Sequence, residues 1–437
     1  MRKLFLFLLT ILTSLLSQAQ LSKVEKKITS YVEGNNASAV KLLEEVVNIN
    51  SGSMNFEGVQ KVGQIFKARL GALGFETKWI DGKAFGRAGH LVGYHTGKGP
   101  GKTLLLIGHL DTVFEPASTL QKFILVNDSI ATGPGVSDMK GGDVIMIYSL
   151  EALKQAGLLK QMNIIVVMTG DEELSGRPLS LARAELIEAA RQADIAIGFE
   201  DGDSNPKTAV VSRRSSSGWE LNVKGKAAHS SQIFTKEIGA GAIYETSRIL
   251  TGFYTELSSE KDLTFNPGMI LGGNEVNRDA LLDGGEAFGK GNIVAKEAIV
   301  TGDIRAISPE QLERAQATML EVVSKHLPQT EATLTFDEGY PPLAPTDGNF
   351  NLLNYYAKVS TDLKLGSITA VNPRDAGAAD ISFTAGYVDM AIDGLGLFGG
   401  HGHTVEEYAN LNWLPRQTKR AALLIHRLTQ SSVDLKH

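Results

Sequence analysis

The chain is predicted to be an α/β protein in two parts, a mostly parallel mixed sheet between helices and an inserted ferredoxin-like βαββαβ domain. Three observations predict it. Short apolar runs alternate with segments of helical spacing over residues 22–212, as in a sheet covered on both faces. The runs end in acidic or imidazole groups. From about residue 213 the order changes to strand, helix, two strands, helix and strand, the split βαββαβ arrangement. A length of 437 residues exceeds one ordinary core and suffices for two domains.

In chain order, "MRKLFLFLLTILTSLLSQAQ" has a basic start at Arg2 and Lys3, an apolar stretch from Leu4 to Leu16 and small residues before Gln20. Residues 1–19 are expected to be a cleaved secretory signal, the alternatives being a buried helix or a short anchor. "SAVKLLEEVVNI" and "GVQKVGQIFKARLGALG" have helical spacing, as do "GDVIMIYSLEALKQAG" and "LARAELIEAARQA". "KTLLLIGH", "NIIVVMTGDEE" and "DIAIGFED" read as buried strands. In the insert, "GWELNVKG", "LTFNPGMILGG", "EAIVTGDIRAI" and "EATLTFDEGY" read as strands. The helix "SPEQLERAQATMLEVVSKHL" opens on a Ser-Pro start. The expected boundaries are 20–212 plus 328–437 for the main domain and 213–327 for the insert. "SRRSSSGW", entering the insert, reads as a hinge with solvated charge, the alternative being an anionic-substrate pocket.

The composition is globular, with 43% hydrophobic and 21% charged residues. A net charge of −6 argues against nucleic acid, which requires a basic face. Without cysteine there are no disulfides and no cysteine-anchored lipoprotein, so stability must come from packing and metal. No later segment reads as a membrane span, so no membrane association is expected once the signal is removed.

Three strand ends carry His109 and Asp111, then Asp171, Glu172 and Glu173, then Glu200 and Asp201. Ligands bind beyond the carboxyl ends of strands in such sheets. Asp138 adds a carboxylate in the glycine-rich loop "GPGVSDMKGG". Carboxylates this close raise each other's pKa unless a cation neutralises them. Single acids at strand ends are usually solvated or paired with Lys or Arg, but this number, with histidines, points to a divalent metal cluster. Mixed His and carboxylate donors suit zinc, with manganese or cobalt as alternatives.

"GHLDTVF", "GPGVSDMKGG", "TGDEELSG", "GFED", "GKAAHS" and "GHTVEEY" resemble, in this order, the motifs of dizinc glutamate carboxypeptidases. Acetylornithine deacetylase, succinyl-diaminopimelate desuccinylase and aminoacylase are relatives in the same family. The resemblance spans essentially the whole mature chain. It implies a phosphorylase/hydrolase-like zinc-peptidase fold whose insert serves as lid and dimerisation domain, giving a homodimer with two zinc ions per subunit. His109 then matches a ligand of one zinc, Asp111 the carboxylate that orients its ring, and Asp138 the bridging ligand. Glu172 matches the general base, Glu173 the ligand beside it, Glu200 a ligand of the other zinc, and His403 completes the set. His401 competes with His403, and Asp201 with Glu200; the motif phase selects His403 and Glu200. A ligand at Asp201 would instead indicate a dipeptidase.

His229 matches a lid histidine that donates to the oxyanion, from the same or the other subunit. Arg374 resembles the arginine that grips a substrate carboxylate, the alternative being a solvated loop arginine. Asn292 occupies the place of an Arg-Asn pair, but Gly291 precedes it; either Lys290 substitutes or the anchoring differs, which leaves glutamate specificity open. The expectation is an exported dizinc hydrolase that cleaves the amide next to a C-terminal amino acid in a small peptide or N-acyl amino acid. A deacetylase or dipeptidase is the neighbouring alternative. A non-catalytic binding protein would have lost the base or ligands, and a phosphoesterase would need more basic residues.

Overall fold

The computed structural model describes residues 21–279 and 283–430. The expected signal segment lies outside the described residues. Among those described, no helix is long and apolar enough to cross a membrane. Two compact units result: one runs to Val211 and includes Thr346–Val371 and the residues from Gly386 onward, and the other comprises Ser212–Pro345 and Asn372–Ala385.

In the first unit, helix α1 (Lys23–Val47) starts at a capping box: the Ser22 hydroxyl accepts from Glu25 N, and Glu25 accepts from Ser22 N. Helix α2 (Phe56–Leu73) leads to β1 (Glu76–Asp81) and β2 (Gly89–His95), followed by β3 (Thr103–His109). Helix α3 (Lys140–Gln155) connects β3 to β4 (Asn163–Thr169), and β5 (Ile195–Gly198) follows. The sheet order is β1-β2-β4-β3-β5 and then Met390–Ile392. From β4 to Met390–Ile392 all pairs are parallel, while β1 and β2 add antiparallel edges. The core strands are buried on both faces, which is why they read as unbroken apolar runs. The expected helix over 181–193 is split into Leu179–Ala182 and Ala184–Arg191, with buried Arg183 at the break.

A second, smaller sheet carries no sequence periodicity, its strands being two or three residues long. Gly399–Gly400, Tyr408–Asn410, Ile130–Thr132 and Ile124–Leu125 pair antiparallel in that order.

The second unit has the expected ferredoxin-like order: β6 (Ser217–Lys224), α4 (Ala242–Leu257), β7 (Thr264–Gly273), β8 (Glu297–Arg305), α5 (Pro309–Ser324) and β9 (Glu331–Phe336). The sheet order is β7-β8-β6-β9, antiparallel throughout. A hairpin, Glu275–Asp279 with Gly284–Phe288, stands between β7 and β8. The expected boundary at 327 is corrected to Pro345, because β9 pairs with β6 and cannot leave its sheet. Residues 372–385 also belong here: the Arg213 guanidinium donates to Gly377 O (2.7 Å), and the Tyr340 hydroxyl to Asp380 (3.1 Å).

Trp219 centres this unit's core, 1% exposed, edge-on to Phe253 and donating from Nε1 to Asp303 O at 3.0 Å. Trp219→Ala should therefore destabilise the second unit by about 3–5 kcal/mol. Chemical denaturation followed by circular dichroism reads this, and a loss below about 1 kcal/mol would contradict the packing described.

Candidate active site

The carboxyl ends of β3, β4 and β5 deliver the nominated side chains to one place. His109 closes β3 with its ring buried, and its Nε2 lies 3.2 Å from Asp138 Oδ1 and 3.5 Å from Glu200 Oε1. Its Nδ1 donates to the Asp111 backbone carbonyl at 3.1 Å, with the Asp111 carboxylate at 3.5 Å. That assigns a proton to Nδ1 and turns Nε2, the nitrogen that would ligate a metal, toward the carboxylates. The other oxygen of Asp138, Oδ2, lies 3.1 Å from His403 Nε2, which is 3.0 Å from Glu173 Oε2. Two triads result, His109–Asp138–Glu200 and Asp138–Glu173–His403, each with its ligand atoms within 4.8 Å of one another. Asp138 belongs to both, and Glu200, expected at the other metal from His109, is corrected to the same triad as His109, because the adjacent ends of β3 and β5 bring the two side chains within 3.5 Å.

The competing residues fall elsewhere. His401 packs against Tyr408, with ring centroids 5.9 Å apart, and Asp201 faces the Ser137 hydroxyl at 3.4 Å. Asp171, the first of the three acids after β4, is taken up by Arg183, whose Nη1 donates to it at 2.6 Å. The Gly176 N–H binds the other Asp171 oxygen at 2.8 Å, so this buried pair braces the loop that carries Glu172 and Glu173.

Each ligand-bearing loop is also tied down by a buried carboxylate that belongs to neither triad. Asp111 accepts from the N–H groups of Glu172 (3.0 Å) and Glu173 (3.2 Å) and from the Ser53 hydroxyl (2.6 Å). Its carboxylate thus holds the Glu172 loop, while its carbonyl holds the His109 ring. Asp393 accepts from Glu200 N at 3.2 Å, and lies so close to Gly198 that a side chain there would collide with it. Glu407 accepts from Gly135, Ser137 and Asp138 N–H groups. Gly135 holds φ +73°, a left-handed conformation that favours glycine and lets the loop fold over this carboxylate.

The carboxylates of the two triads crowd one another. Burial, then the neighbouring Asp138 and Glu172, raise the Glu200 carboxyl well above its ordinary value against the opposing pull of His109. Burial and Asp138 likewise raise Glu173. Burial would lower the His109 pKa, but Glu200, Asp111 and Asp138 outweigh it and raise it well above the ordinary imidazole value. Hydrogen bonds to Asp138 and Glu173 push His403 up to about 11. A cation placed among these carboxylates would neutralise them. A metal fits these residues: Glu173 Oε1 is buried with no hydrogen-bond partner, and the donors are the imidazole and carboxylate groups that zinc accepts.

In the second unit, His229 and Asn292 are brought together by backbone pairing. Ser230 N donates to Asn292 O (2.8 Å), and Val294 N to Ala228 O (2.9 Å). His229 Nδ1 lies 2.8 Å from the Ser231 hydroxyl and 3.3 Å from the Ser231 N. Arg374 is exposed. The solvated-hinge expectation for Arg213 and Arg214 is corrected: they are 5% and 9% exposed. Burial, then the nearby Arg305 and Arg374, lower the Arg214 pKa, so three guanidinium groups gather in this unit. Lys290 is exposed, with its carbonyl accepting from Ile293 N.

The sequence matches the family model "Peptidase family M20/M25/M40" over residues 105–427. The chain belongs to this family. It is 28% identical over 391 residues to carboxypeptidase G2 of Pseudomonas sp. (strain RS-16), covering 89% of this chain and 88% of that one. Among solved structures, aminopeptidase PepT of Bacillus cereus superposes with a TM-score of 0.70 at 18% identity, covering 90% and 99% of the two chains. An M20 family metallo-carboxypeptidase of Sulfolobus solfataricus gives 0.63 at 15%, covering 89% and 98%. This M20 protein is accordingly a metal-dependent peptidase or amidohydrolase.

Sequence reasoning missed Glu407 and Asp393. Glu407 stood in the quoted string "GHTVEEY", four residues after His403, but one acid in a loop carries no sign that three N–H groups will converge on it. Because His403, pushed up to about 11, carries a proton at neutral pH, loading metal into the M20 enzyme should release protons. Calorimetry in buffers of different ionisation enthalpy measures this. Net proton release is expected; binding with no exchange, or with uptake, would contradict the protonation described.

Proposed function

We propose that this protein is an exported dizinc carboxypeptidase, glutamate carboxypeptidase-like, that releases a C-terminal amino acid from a small peptide or N-acyl amino acid. One observation carries the reading: Asp138 offers one oxygen to each of two His–carboxylate triads, beside the loop that bears Glu172. His109 and Glu200 would hold one zinc, Glu173 and His403 the other, and Asp138 both, with cobalt or manganese as alternatives.

When bound, the metal pair supplies Lewis acidity, polarising the amide carbonyl and bringing the pKa of water toward neutrality. Glu172 accepts the proton of the attacking water as the carbon–oxygen bond forms. It returns that proton to the amide nitrogen as the carbon–nitrogen bond breaks. His229 donates to the oxyanion, from its own subunit or a partner. Arg374 and Asn292 bind the carboxylate of the released amino acid, for which a planar guanidinium is suited. The likeness to carboxypeptidase G2 over most of both chains supports release of a C-terminal residue.

Export rests on the signal-like residues 1–19 and implies a periplasmic or secreted enzyme. Dimerisation through the second unit is supported by β7, an edge strand that exposes Ile270, beside α4, which exposes Ile243, Tyr244 and Tyr254.

Glu172→Gln should lower kcat by about 10²- to 10⁴-fold with metal content unchanged. Turnover of a panel of N-acyl amino acids and dipeptides, alongside metal analysis, measures both, and undiminished turnover would exclude Glu172 as the base. Arg374→Ala should raise KM by on the order of 10- to 100-fold, the cost of one charge-assisted hydrogen-bonding group. An unchanged KM across the panel would remove Arg374 from the substrate site.

A further inference from the structure

The loops that carry Asp138 and His403 are neighbours in the small sheet. Ile130–Thr132 leads into the Asp138 loop and pairs with Tyr408–Asn410, which pairs in turn with Gly399–Gly400. The turn joining the last two strands carries His403 and ends at Glu407, whose N–H donates to Thr404 O at 3.1 Å. The Glu407 side chain is fully buried and reaches from this turn across to the Asp138 loop. There it accepts from Gly135 N (3.3 Å), Ser137 N (2.9 Å) and Asp138 N (3.1 Å). A carboxylate is acceptor-only, so it satisfies three converging donors, whereas an amide would turn its own N–H groups against one of them. Glu407 belongs to neither ligand triad.

We propose that Glu407 is a positioning residue that locks the Asp138 and His403 loops together and thereby sets the affinity of the shared-ligand metal site. It touches neither metal nor substrate, and acts through the backbone of the residue that both triads share. The inference rests on the dizinc reading above, in which Asp138 bridges two ions. Conservative replacement should weaken metal binding about 10- to 100-fold, the range seen when groups supporting a ligand are changed.

The test compares the full-length parent with Glu407→Gln and Glu407→Asp, using Asp138→Asn as the ligand control. Zinc affinity is read by competition with a chromophoric chelator, the fold by circular dichroism and melting of the metal-free protein, and kcat and KM separately at saturating zinc. Glu407→Gln is expected to remain folded, to lose zinc affinity 10- to 100-fold, and to lower kcat while KM stays within about twofold. Glu407→Asp keeps the charge but draws the oxygens back by one carbon, and should show the same losses to a lesser degree. A purely structural residue would lower the metal-free melting temperature and leave the zinc affinity of the folded protein unchanged. That result, or the failure of both variants to fold, would overturn the proposal. If Asp138→Asn abolishes zinc binding while both Glu407 variants match the parent, only this inference fails. If the parent itself takes up no zinc, the metal reading fails with it.

Discussion

The arrangement depends on the sharing of one carboxylate. Asp138 turns Oδ1 to His109 and Oδ2 to His403, so the two triads cannot be placed independently. Around it, Glu173 and Glu200 add further carboxylates, and burial beside Asp138 raises the pKa of each. Such a cluster costs folding free energy unless something positive occupies it. Membership of a metal-dependent family and the ligand geometry are two views of that one constraint.

Meeting the constraint requires loops that do not drift, and each is fastened through its backbone. Asp111 holds the Glu172 loop, Asp393 holds Glu200, Glu407 holds Asp138, and the Arg183–Asp171 pair braces the turn after β4. Lys140, whose buried ammonium donates to Ile49 O, lies in the field of Glu407, Asp143 and Asp111; burial brings its pKa down to about 7 against their pull. The supporting charges are therefore themselves interdependent. His401 and His403 both adopt left-handed backbone angles, φ +57° and +62°, a local strain typical of loops over-determined by their surroundings.

The parallel strands were legible because burial on both faces makes them unbroken apolar runs, and their ends pointed to His109, Glu173 and Glu200. The ferredoxin-like order was legible for the same kind of reason, from long strands and capped helices such as the one after Ser308. The small sheet was not, since strands of two or three residues have no period to read. Nor was the return of residues 372–385 to the second unit, which rests on single contacts such as Arg213 with Gly377. Arg213 and Arg214 read as solvated because adjacent charged residues usually are; their burial follows from tertiary partners. The ligands and Asp111 were legible by residue type and motif, while Glu407 and Asp393 were hidden because their partners are backbone N–H groups common to every residue.

The most direct test of the central claim is anomalous diffraction at the zinc edge from crystals of the zinc-loaded protein. Two peaks are expected, one on either side of the Asp138 carboxylate, the first in contact with His109 and Glu200 and the second with Glu173 and His403. A single peak, or two peaks of which either leaves Asp138 uncoordinated, would contradict the shared-carboxylate account.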